Sequence, residues 1–291
     1  MMTARFGPAG NSDSFAAMGY KSTRQVAEYV EKMGLNAYEY QCGRGVRINR
    51  DSVTFLGEEA KKKDIFLSLH APYFISLSSV EEEKRDNSIR YILESAGAAE
   101  LMGAQRIIVH SGSCGKLSRA DALELAKGTL KKALTAMDEH GYSHLTLCPE
   151  TMGKVNQLGN LDEVMELCRL DERLIPCIDF GHLNARTFGG LKTKADFEAV
   201  FGAMENKLGE YRMKHFHSHF SKIEYTENGG EKRHLTFEDT VYGPDFEPVA
   251  ELILQKNCTP VFICESSGTQ AEDAAAMQEI YRNLSGRIAG K

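Results

Sequence analysis

The chain has 291 residues, of which 42% are hydrophobic, 26% charged and 9% aromatic, a composition that excludes disordered, collagen-like and fibrous proteins. No apolar run approaches the ~18 residues that cross a bilayer, and the first residues lack the apolar region of a secretory signal, so we expect a cytoplasmic protein without a membrane partner. A formal charge of −6 by itself disfavours a nucleic-acid partner, since phosphate binding depends largely on lysine and arginine.

Eight short apolar runs recur along the chain and are predicted to be buried strands. They cover residues 4–7, 37–40, 66–69, 107–109, 145–148, 176–178, 215–218 and 261–264. Most precede amphipathic helical patterns: Ser22 opens a capping box before one helix, Ser118 caps a second, and a third spans 89–102. Eight strand–helix units without a linker predict one (β/α)8 barrel domain over residues 1–291. An open doubly wound sheet would have the same elements, so the polar residues decide between the two.

Potential metal ligands follow six consecutive predicted strands at the end where a barrel builds its active site. Taken alone, a histidine after a strand is more often a hydrogen-bonded core residue, and a carboxylate is more often a helix cap. Their recurrence at successive strand ends favours one shared site in a barrel. The candidates are His70, His110, Glu150, Asp179, His182, His219 and Glu265, with His234 in the loop after the seventh strand.

The chemistry of this ligand set narrows the choice of metal. The seven cysteines include no Cys-x-x-Cys pair, which argues against a thiolate site and a disulfide framework. Imidazoles with carboxylates suit zinc, manganese or iron and hydrolytic or Lewis-acid chemistry. Because the donors exceed what one ion can bind, we expect two or three ions, with Glu150 and Glu265 as the catalytic carboxylates.

Three histidines alternate along the seventh predicted strand, and a period of two puts them on one strand face. His219 is nearest the C-terminal end of the strand and is the first choice as a ligand. His217, one layer lower, is the alternative to it. His215 is expected in the barrel interior or behind a ligand.

In order and spacing these residues resemble the metal-ligand motifs of the endonuclease IV family of apurinic/apyrimidinic endonucleases, which belongs to the xylose-isomerase-like TIM barrels. The motifs are His70-Ala71-Pro72-Tyr73, His110-Ser111-Gly112-Ser113, Glu150-Thr151, Asp179-Phe180-Gly181-His182, His219-Phe220-Ser221-Lys222 and Cys264-Glu265. The resemblance covers essentially the full length. It implies a zinc enzyme of base excision repair that hydrolyses the phosphodiester 5′ to an abasic site in duplex DNA.

The resemblance also implies how the ligands are shared among three zinc ions. Glu150 is expected to bridge two ions. His70 and His110 would complete the first ion, and Asp179, His219 and Glu265 the second, with His182 and His234 on the third. The family holds that third ion with an Asp-x-His pair, whereas the position two before His234 is Lys232 here. Glu231 is the candidate substitute, and a weak or absent third ion is the alternative.

Several residues near this face are candidates for contacts with DNA phosphates. Arg44 and Arg47 lie in a loop after the second strand that contains no acidic residue, although a solvated basic loop explains them equally well. Lys222 belongs to a second basic cluster, and Tyr73 matches a tyrosine that lies near the DNA in the family. We expect the protein to be a monomer.

The principal alternative activity comes from the same superfamily. A sugar or sugar-phosphate isomerase or epimerase would use one divalent ion, with Glu150 and Glu265 flanking a small sugar phosphate. His70 and His110 would then contact the substrate and not a metal. A third hypothesis, a metal-dependent structural or sensory barrel without turnover, has no feature of the sequence in its favour.

Overall fold

The structure is a computed structural model that describes residues 3–289. The eight predicted strands are all present in it. Their bounds are β1 Arg5–Pro8, β2 Ala37–Gln41, β3 Phe66–His70, β4 Arg106–Val109, β5 Thr146–Pro149, β6 Cys177–Asp179, β7 His217–Phe220 and β10 Val261–Cys264. A hairpin of β8 Ile223–Thr226 and β9 Gly230–His234 follows β7. That residues 1–291 form a single domain stays a prediction.

The eight strands close into a parallel barrel. Hydrogen bonds connect β2-β3-β4-β5 in one half and β6-β7-β10-β1 in the other. Parallel bridges between Ala9 and Glu39 and between Glu150 and Cys177 join the two halves. A Cβ atom at Gly7 would lie 1.8 Å from the carbonyl oxygen of Ala37, so only glycine allows β1 to approach β2 this closely. The (β/α)8 barrel is confirmed, and the open sheet is excluded.

Helices surround the barrel, as the amphipathic patterns predict. They are α1 Asp13–Ala17, α2 Val26–Lys32, α3 Arg50–Lys62, α4 Glu82–Met102, α5 Arg119–Glu139, α6 Leu161–Cys168, α7 Phe180–Arg186, α8 Lys194–Leu208, α9 Glu210–Lys214, α10 Glu247–Gln255 and α11 Gln270–Ala289. Ser118 Oγ accepts a hydrogen bond from the Asp121 N–H at 3.1 Å, which confirms that cap. Within residues 3–289, no helix has both the length and the apolarity needed to cross a membrane.

The start of the fourth helix differs from the sequence prediction. The helix predicted from Ile89 begins at Glu82 in the structure. The sequence pattern missed this start because the first two turns are polar and carry no apolar periodicity. It ends before Gly103, whose φ of +67° places it in the left-handed region that favours glycine at a helix end.

The seventh strand begins at His217 and not at His215. The short helix α9 ends at Lys214 with His215 as its C-cap, since the His215 N–H donates to the Tyr211 carbonyl at 3.1 Å and its ring stacks on Tyr211 at 4.4 Å. The prediction that His215 lies in the barrel interior is therefore wrong. His217 and His219 do lie on one face of β7, and both are fully buried.

The polarity of the interior is unusual for a barrel core, which branched aliphatic side chains normally fill. Phe216 is fully buried and packs against Phe262 of β10 and Phe180 of α7, which are fully buried as well. Glu39 and Ser68, in contrast, are fully buried polar side chains on barrel strands. Buried polar and ionisable groups of this kind are costly unless they are paired.

Candidate metal centre

The carboxylate of Glu150, at the end of β5, lies at the centre of the cluster. Its Oε2 atom is 3.4 Å from His70 Nε2 and 3.1 Å from His110 Nε2. Its Oε1 atom is 2.9 Å from His219 Nδ1. The two oxygens thus face different imidazoles, which is the arrangement that a carboxylate bridging two ions requires.

A second group of donors lies on the Oε1 side of Glu150. Glu150, Asp179, His182 and Glu265 each offer one ligand atom within 4.8 Å of the others. Glu265 Oε1 lies 3.6 Å from His219 Nδ1. These residues lie at the ends of β5, β6, β7 and β10. Because the parallel strands of a barrel all end at the same edge, the residues meet there.

Asp179 tests whether this pocket fits a cation. Its Oδ1 accepts the His182 N–H at 2.7 Å and caps α7. Its buried Oδ2 accepts no hydrogen bond from any residue in the described range 3–289. His182 Nδ1 is 3.1 Å away, but it is hydrogen-bonded to the Thr151 carbonyl at 2.9 Å. A buried carboxylate oxygen without a donor is costly, and a bound cation would satisfy it. The donor set therefore fits a metal.

A third group surrounds the outer edge of the pocket. His182, His234 and Glu265 offer ligand atoms within 4.8 Å of one another. Because Nδ1 of His182 donates to the Thr151 carbonyl, its Nε2 is free to bind a cation, and this atom lies 3.5 Å from Glu231 Oε2. His234 Nδ1 is hydrogen-bonded to Ser221 Oγ at 2.8 Å.

A β-bulge explains how Glu231 reaches this third group. In the β8–β9 hairpin, Glu224 pairs with Arg233 and Tyr225 with Glu231, which leaves Lys232 without a residue opposite. Residues three apart point to opposite faces of a regular strand, but one extra residue turns them to the same face. The side chain of Lys232 forms an ion pair with Glu224, with Nζ 2.6 Å from Oε1. The structure thus brings Glu231 to within 3.9 Å of His234 Nε2.

The charges of the cluster act strongly on one another. Burial opposes ionisation of Glu150, but His219 and the hydrogen bond from His110 lower the pKa of this carboxyl well below its usual range. Burial raises the pKa of Asp179 to about 6. Burial opposes the charged form of His182 as well, but neighbouring Asp179 raises the pKa of this imidazole. Since imidazole binds metals in its neutral form, a metal must displace protons here.

Glu39 is a buried residue that the sequence did not predict to belong to the site. The carboxylate of Glu39, on β2, accepts hydrogen bonds at Oε2 from Ser68 Oγ (2.8 Å) and His217 Nε2 (3.1 Å). At Oε1 it accepts from His219 Nε2 (2.9 Å) and Gln41 Nε2 (3.1 Å). The only signal in the sequence is a single carboxylate within the apolar run 37–40. His217 thus contacts Glu39, one layer below the cluster around Glu150.

A cavity of about 480 Å³ opens above the cluster. Its lining comprises His70, Tyr73, His110, Glu150, Met152, Lys154, Gln157, His182, Glu231, His234 and Glu265. Lys154, in the loop after β5, was not predicted from the sequence, where a lone lysine in a loop carries no signal. Tyr73 is 53% exposed, and its ring centroid lies 5.0 Å from that of His70.

The predicted phosphate-binding residues differ in their surroundings. Arg44 and Arg47 are exposed, and neither forms an ion pair with another residue in the described part of the chain. Their loop packs on the cavity rim, because the Tyr73 N–H donates to the Gly43 carbonyl at 3.1 Å. A Cβ atom on Gly43 would lie 2.2 Å from the Tyr73 ring, so any larger residue here would displace that ring.

Lys222, in contrast, is engaged away from the cavity. Its ammonium donates to the Asp239 carbonyl and lies 3.6 Å from Asp245 Oδ1. Lys222 is not among the residues that line the cavity. The structure therefore does not bring it together with the other predicted site residues.

The relatives that sequence comparison identifies include a protein described as uncharacterised and others described as probable endonuclease 4. A protein of Methanocaldococcus jannaschii described as uncharacterised is 32% identical over 260 residues, covering 89% of this chain and 92% of that one. A probable endonuclease 4 of Staphylococcus carnosus is 27% identical over 219 residues, covering 71% of each chain. The resemblance to endonuclease IV proteins is thus confirmed.

Two solved structures share the fold. Endonuclease IV from Thermus thermophilus superposes with a TM-score of 0.67 at 18% identity, covering 90% of this chain and 93% of that one. A D-tagatose 3-epimerase-like protein has a TM-score of 0.68 at 17% identity, covering 90% and 94%. Both likenesses establish the barrel fold alone. Residues 27–284 match the family model described as xylose isomerase-like TIM barrel. The chain belongs to this xylose isomerase-like TIM barrel family.

Proposed function

We propose that the protein is a metal-dependent hydrolase that cleaves the phosphodiester 5′ to abasic sites in duplex DNA, as a base excision repair enzyme. The observation that carries this proposal is the position of His70 and His110 on one oxygen of Glu150, with His219 on the other. A one-ion isomerase has no need for two imidazoles on the far side of its carboxylate. The similarity to probable endonuclease 4 of Staphylococcus carnosus supports the same activity.

Zinc is the metal we propose, with manganese and iron as alternatives, because imidazole and carboxylate donors suit all three. When bound, such ions neutralise phosphate charge and activate water for hydrolysis. Glu150 would belong to two of the three donor groups, and Glu265 would connect the second group to the third. The carbonyl of Thr151 would hold His182 in the orientation that leaves Nε2 free.

The other residues of the cavity rim would bind and orient the DNA. Tyr73 offers an exposed ring beside His70, suited to stacking on a base or sugar. Lys154 adds a positive charge to the cavity wall. Arg44 and Arg47 are free to contact phosphates on the same face, whereas the ammonium of Lys222 is hydrogen-bonded to the Asp239 carbonyl.

The negative net charge is compatible with this activity. Four of the acidic residues, Glu150, Asp179, Glu231 and Glu265, lie in the cluster that metal ions would neutralise. We further propose a cytoplasmic monomer. The seven cysteines support a reducing compartment, because all are buried free thiols.

A nicking assay tests the proposed activity. The zinc-loaded protein should cleave a duplex with one abasic site and leave a 3′-hydroxyl that a DNA polymerase extends. Glu150→Gln should lower the rate at least about 100-fold, because it removes the shared carboxylate. Glu139→Gln, an exposed change at the end of α5, is the matched control and should cleave normally. Absence of cleavage after reconstitution with zinc, manganese and iron would refute the repair activity.

A sugar or sugar-phosphate isomerase or epimerase is the second candidate. The cavity of about 480 Å³ has the size of small-molecule sites, and a D-tagatose 3-epimerase-like protein shares the fold. Elemental analysis separates the two candidates. Two or three equivalents of metal per chain support the hydrolase, and a single equivalent supports the isomerase.

A further inference from the structure

Below the proposed metal cluster lies a buried polar network centred on Glu39. Its two carboxylate oxygens accept four hydrogen bonds, from Ser68, His217, His219 and Gln41. A carboxylate has about four acceptor sites, so these donors saturate it. None of the residues in this network was part of the predicted ligand set except His219 and its alternative, His217.

The network determines which nitrogen of each histidine carries a proton. Because an ionised carboxylate can only accept hydrogen bonds, both imidazoles must donate to Glu39 through Nε2. Each oxygen of Glu39 is contacted by two hydrogen-bond donors, which is the pattern of an ionised carboxylate. A neutral His219 therefore carries its proton on Nε2, and the lone pair is on Nδ1.

That lone pair faces the metal cluster. His219 Nδ1 lies 2.9 Å from Glu150 Oε1 and 3.6 Å from Glu265 Oε1, on the side of the ring opposite Glu39. We propose that Glu39 is a positioning residue that locks His219 in the Nε2–H tautomer, so that Nδ1 binds the metal ion shared with Glu150 and Glu265. Carboxylates behind metal-binding imidazoles act in this way in other proteins. The inference rests on the metal binding of the proposed function and not on its substrate.

The same network reaches the cavity rim. Gln41 Nε2 donates to Glu39 Oε1 at 3.1 Å, and Gln41 Oε1 accepts from the Tyr73 hydroxyl at 3.2 Å. The amide of Gln41 can satisfy both partners in only one orientation. Glu39 therefore connects the buried ligand His219 to the exposed ring of Tyr73 through a single side chain.

A role in packing alone does not account for Glu39. Replacing a buried charge network by apolar side chains of similar volume is often neutral or stabilising. Fully buried Ile263 and Val261 on strand β10 fill the same interior with apolar side chains. Glu39 is thus a costly choice for packing, and its contact with the back of His219 gives the physical reason for it.

The first test reads the tautomer directly in the unaltered protein. Long-range ¹⁵N–¹H NMR correlation of the zinc-loaded chain should show His219 protonated at Nε2, with Nδ1 carrying the shift of a metal-bound nitrogen. A proton on Nδ1, or metal binding through Nε2, would overturn the inference. The measurement requires no substitution and therefore does not depend on whether a variant folds.

The second test measures zinc affinity by competition with a chromophoric chelator. Glu39→Gln presents an amide N–H to one of the four donors, and we expect the affinity for one zinc ion to fall about 10- to 100-fold. Glu139→Gln is the control, because this exposed carboxylate at the end of α5 lies outside the network around His219, and it should bind zinc like the unaltered protein. Melting of the metal-free variants checks that both fold. Unchanged affinity in Glu39→Gln refutes the inference.

The outcome is distinguishable from a failure of the proposed function, since neither test contains DNA. Zinc bound through His219 Nδ1 in a protein that cleaves no abasic site would refute the repair activity alone. Cleavage that persists with normal zinc affinity in Glu39→Gln would refute the role of Glu39 alone.

Discussion

The buried carboxylate of Asp179 suits the proposed metal binding but lowers the stability of the metal-free protein. Its Oδ2 is buried and accepts no hydrogen bond among residues 3–289. Burial raises the pKa of this carboxyl from 3.8 to about 6. The folded, metal-free protein therefore binds this proton more tightly than the unfolded chain does, and ionisation of Asp179 destabilises the fold as the pH rises through about 6.

Asp179→Asn should stabilise the metal-free protein while weakening metal binding. The amide oxygen can still cap α7 at the His182 N–H, but the buried negative charge is gone. We expect a gain of about 1–3 kcal/mol in the free energy of unfolding near pH 8. The gain should shrink as the pH falls from about 6 and vanish below 3.8, where Asp179 is protonated in both states. Urea unfolding with chelator across this pH range measures it, and a gain that is independent of pH would contradict the assignment.

At the residue scale the sequence identified ligand types but not their contacts. His70, His110 and Glu150 stand directly after apolar runs, so their place at the barrel edge followed from strand geometry. The contact of Glu39 with His217 joins residues 178 positions apart across the barrel interior. A periodic pattern in the sequence covers only neighbouring residues, so it does not predict a contact between residues this far apart in the chain.

Among the elements, the β8–β9 hairpin shows how a local irregularity sets the position of a side chain. Its bulge at Lys232 turns Glu231 toward His182, which lies 3.5 Å away. The hairpin was not predicted, because its strands are short and polar and lack the apolar alternation of a buried strand. For a ligand role of Glu231, as proposed, the bulge would compensate for the shift of the carboxylate by one residue relative to the Asp-x-His spacing that the resemblance implies.

Glu231→Gln should reduce the bound zinc by one equivalent, because it removes the charge from the third donor group. Lys232→Ala is the matched control: Lys232 pairs with Glu224 on the other side of the hairpin, so the zinc content should not change. Elemental analysis after dialysis against a weak chelator measures both variants. Equal zinc content in Glu231→Gln and the unaltered protein would show that Glu231 is not a ligand.

Across the whole molecule, the proposed ions would connect the ends of strands from both halves of the barrel. His70 ends β3, and His110 and Glu150 follow β4 and β5, whereas Asp179, His219 and Glu265 belong to or follow β6, β7 and β10. A ligand that binds only the folded state adds its binding free energy to the stability of the entire barrel.

Metal removal should therefore lower the thermal stability of the protein. Zinc at 1,000 times its dissociation constant contributes about 4 kcal/mol, which corresponds to a rise in Tm of roughly 10 °C. Calorimetry with zinc and with a strong chelator measures the difference. Glu150→Gln should show a much smaller rise. Equal Tm values in zinc and in chelator would contradict metal binding by the folded protein.

The sequence by itself determined the eight strands, the barrel and the edge at which the proposed ligands meet, because apolar runs and the residues that follow them are local patterns. Only the tertiary structure decided which side chains touch. It excluded His215 from the barrel, brought Glu231 beside His234 and put Glu39 behind His219. The physical reason is that periodicity defines the face of a strand, whereas a partner across the barrel depends on register, bulges and closure.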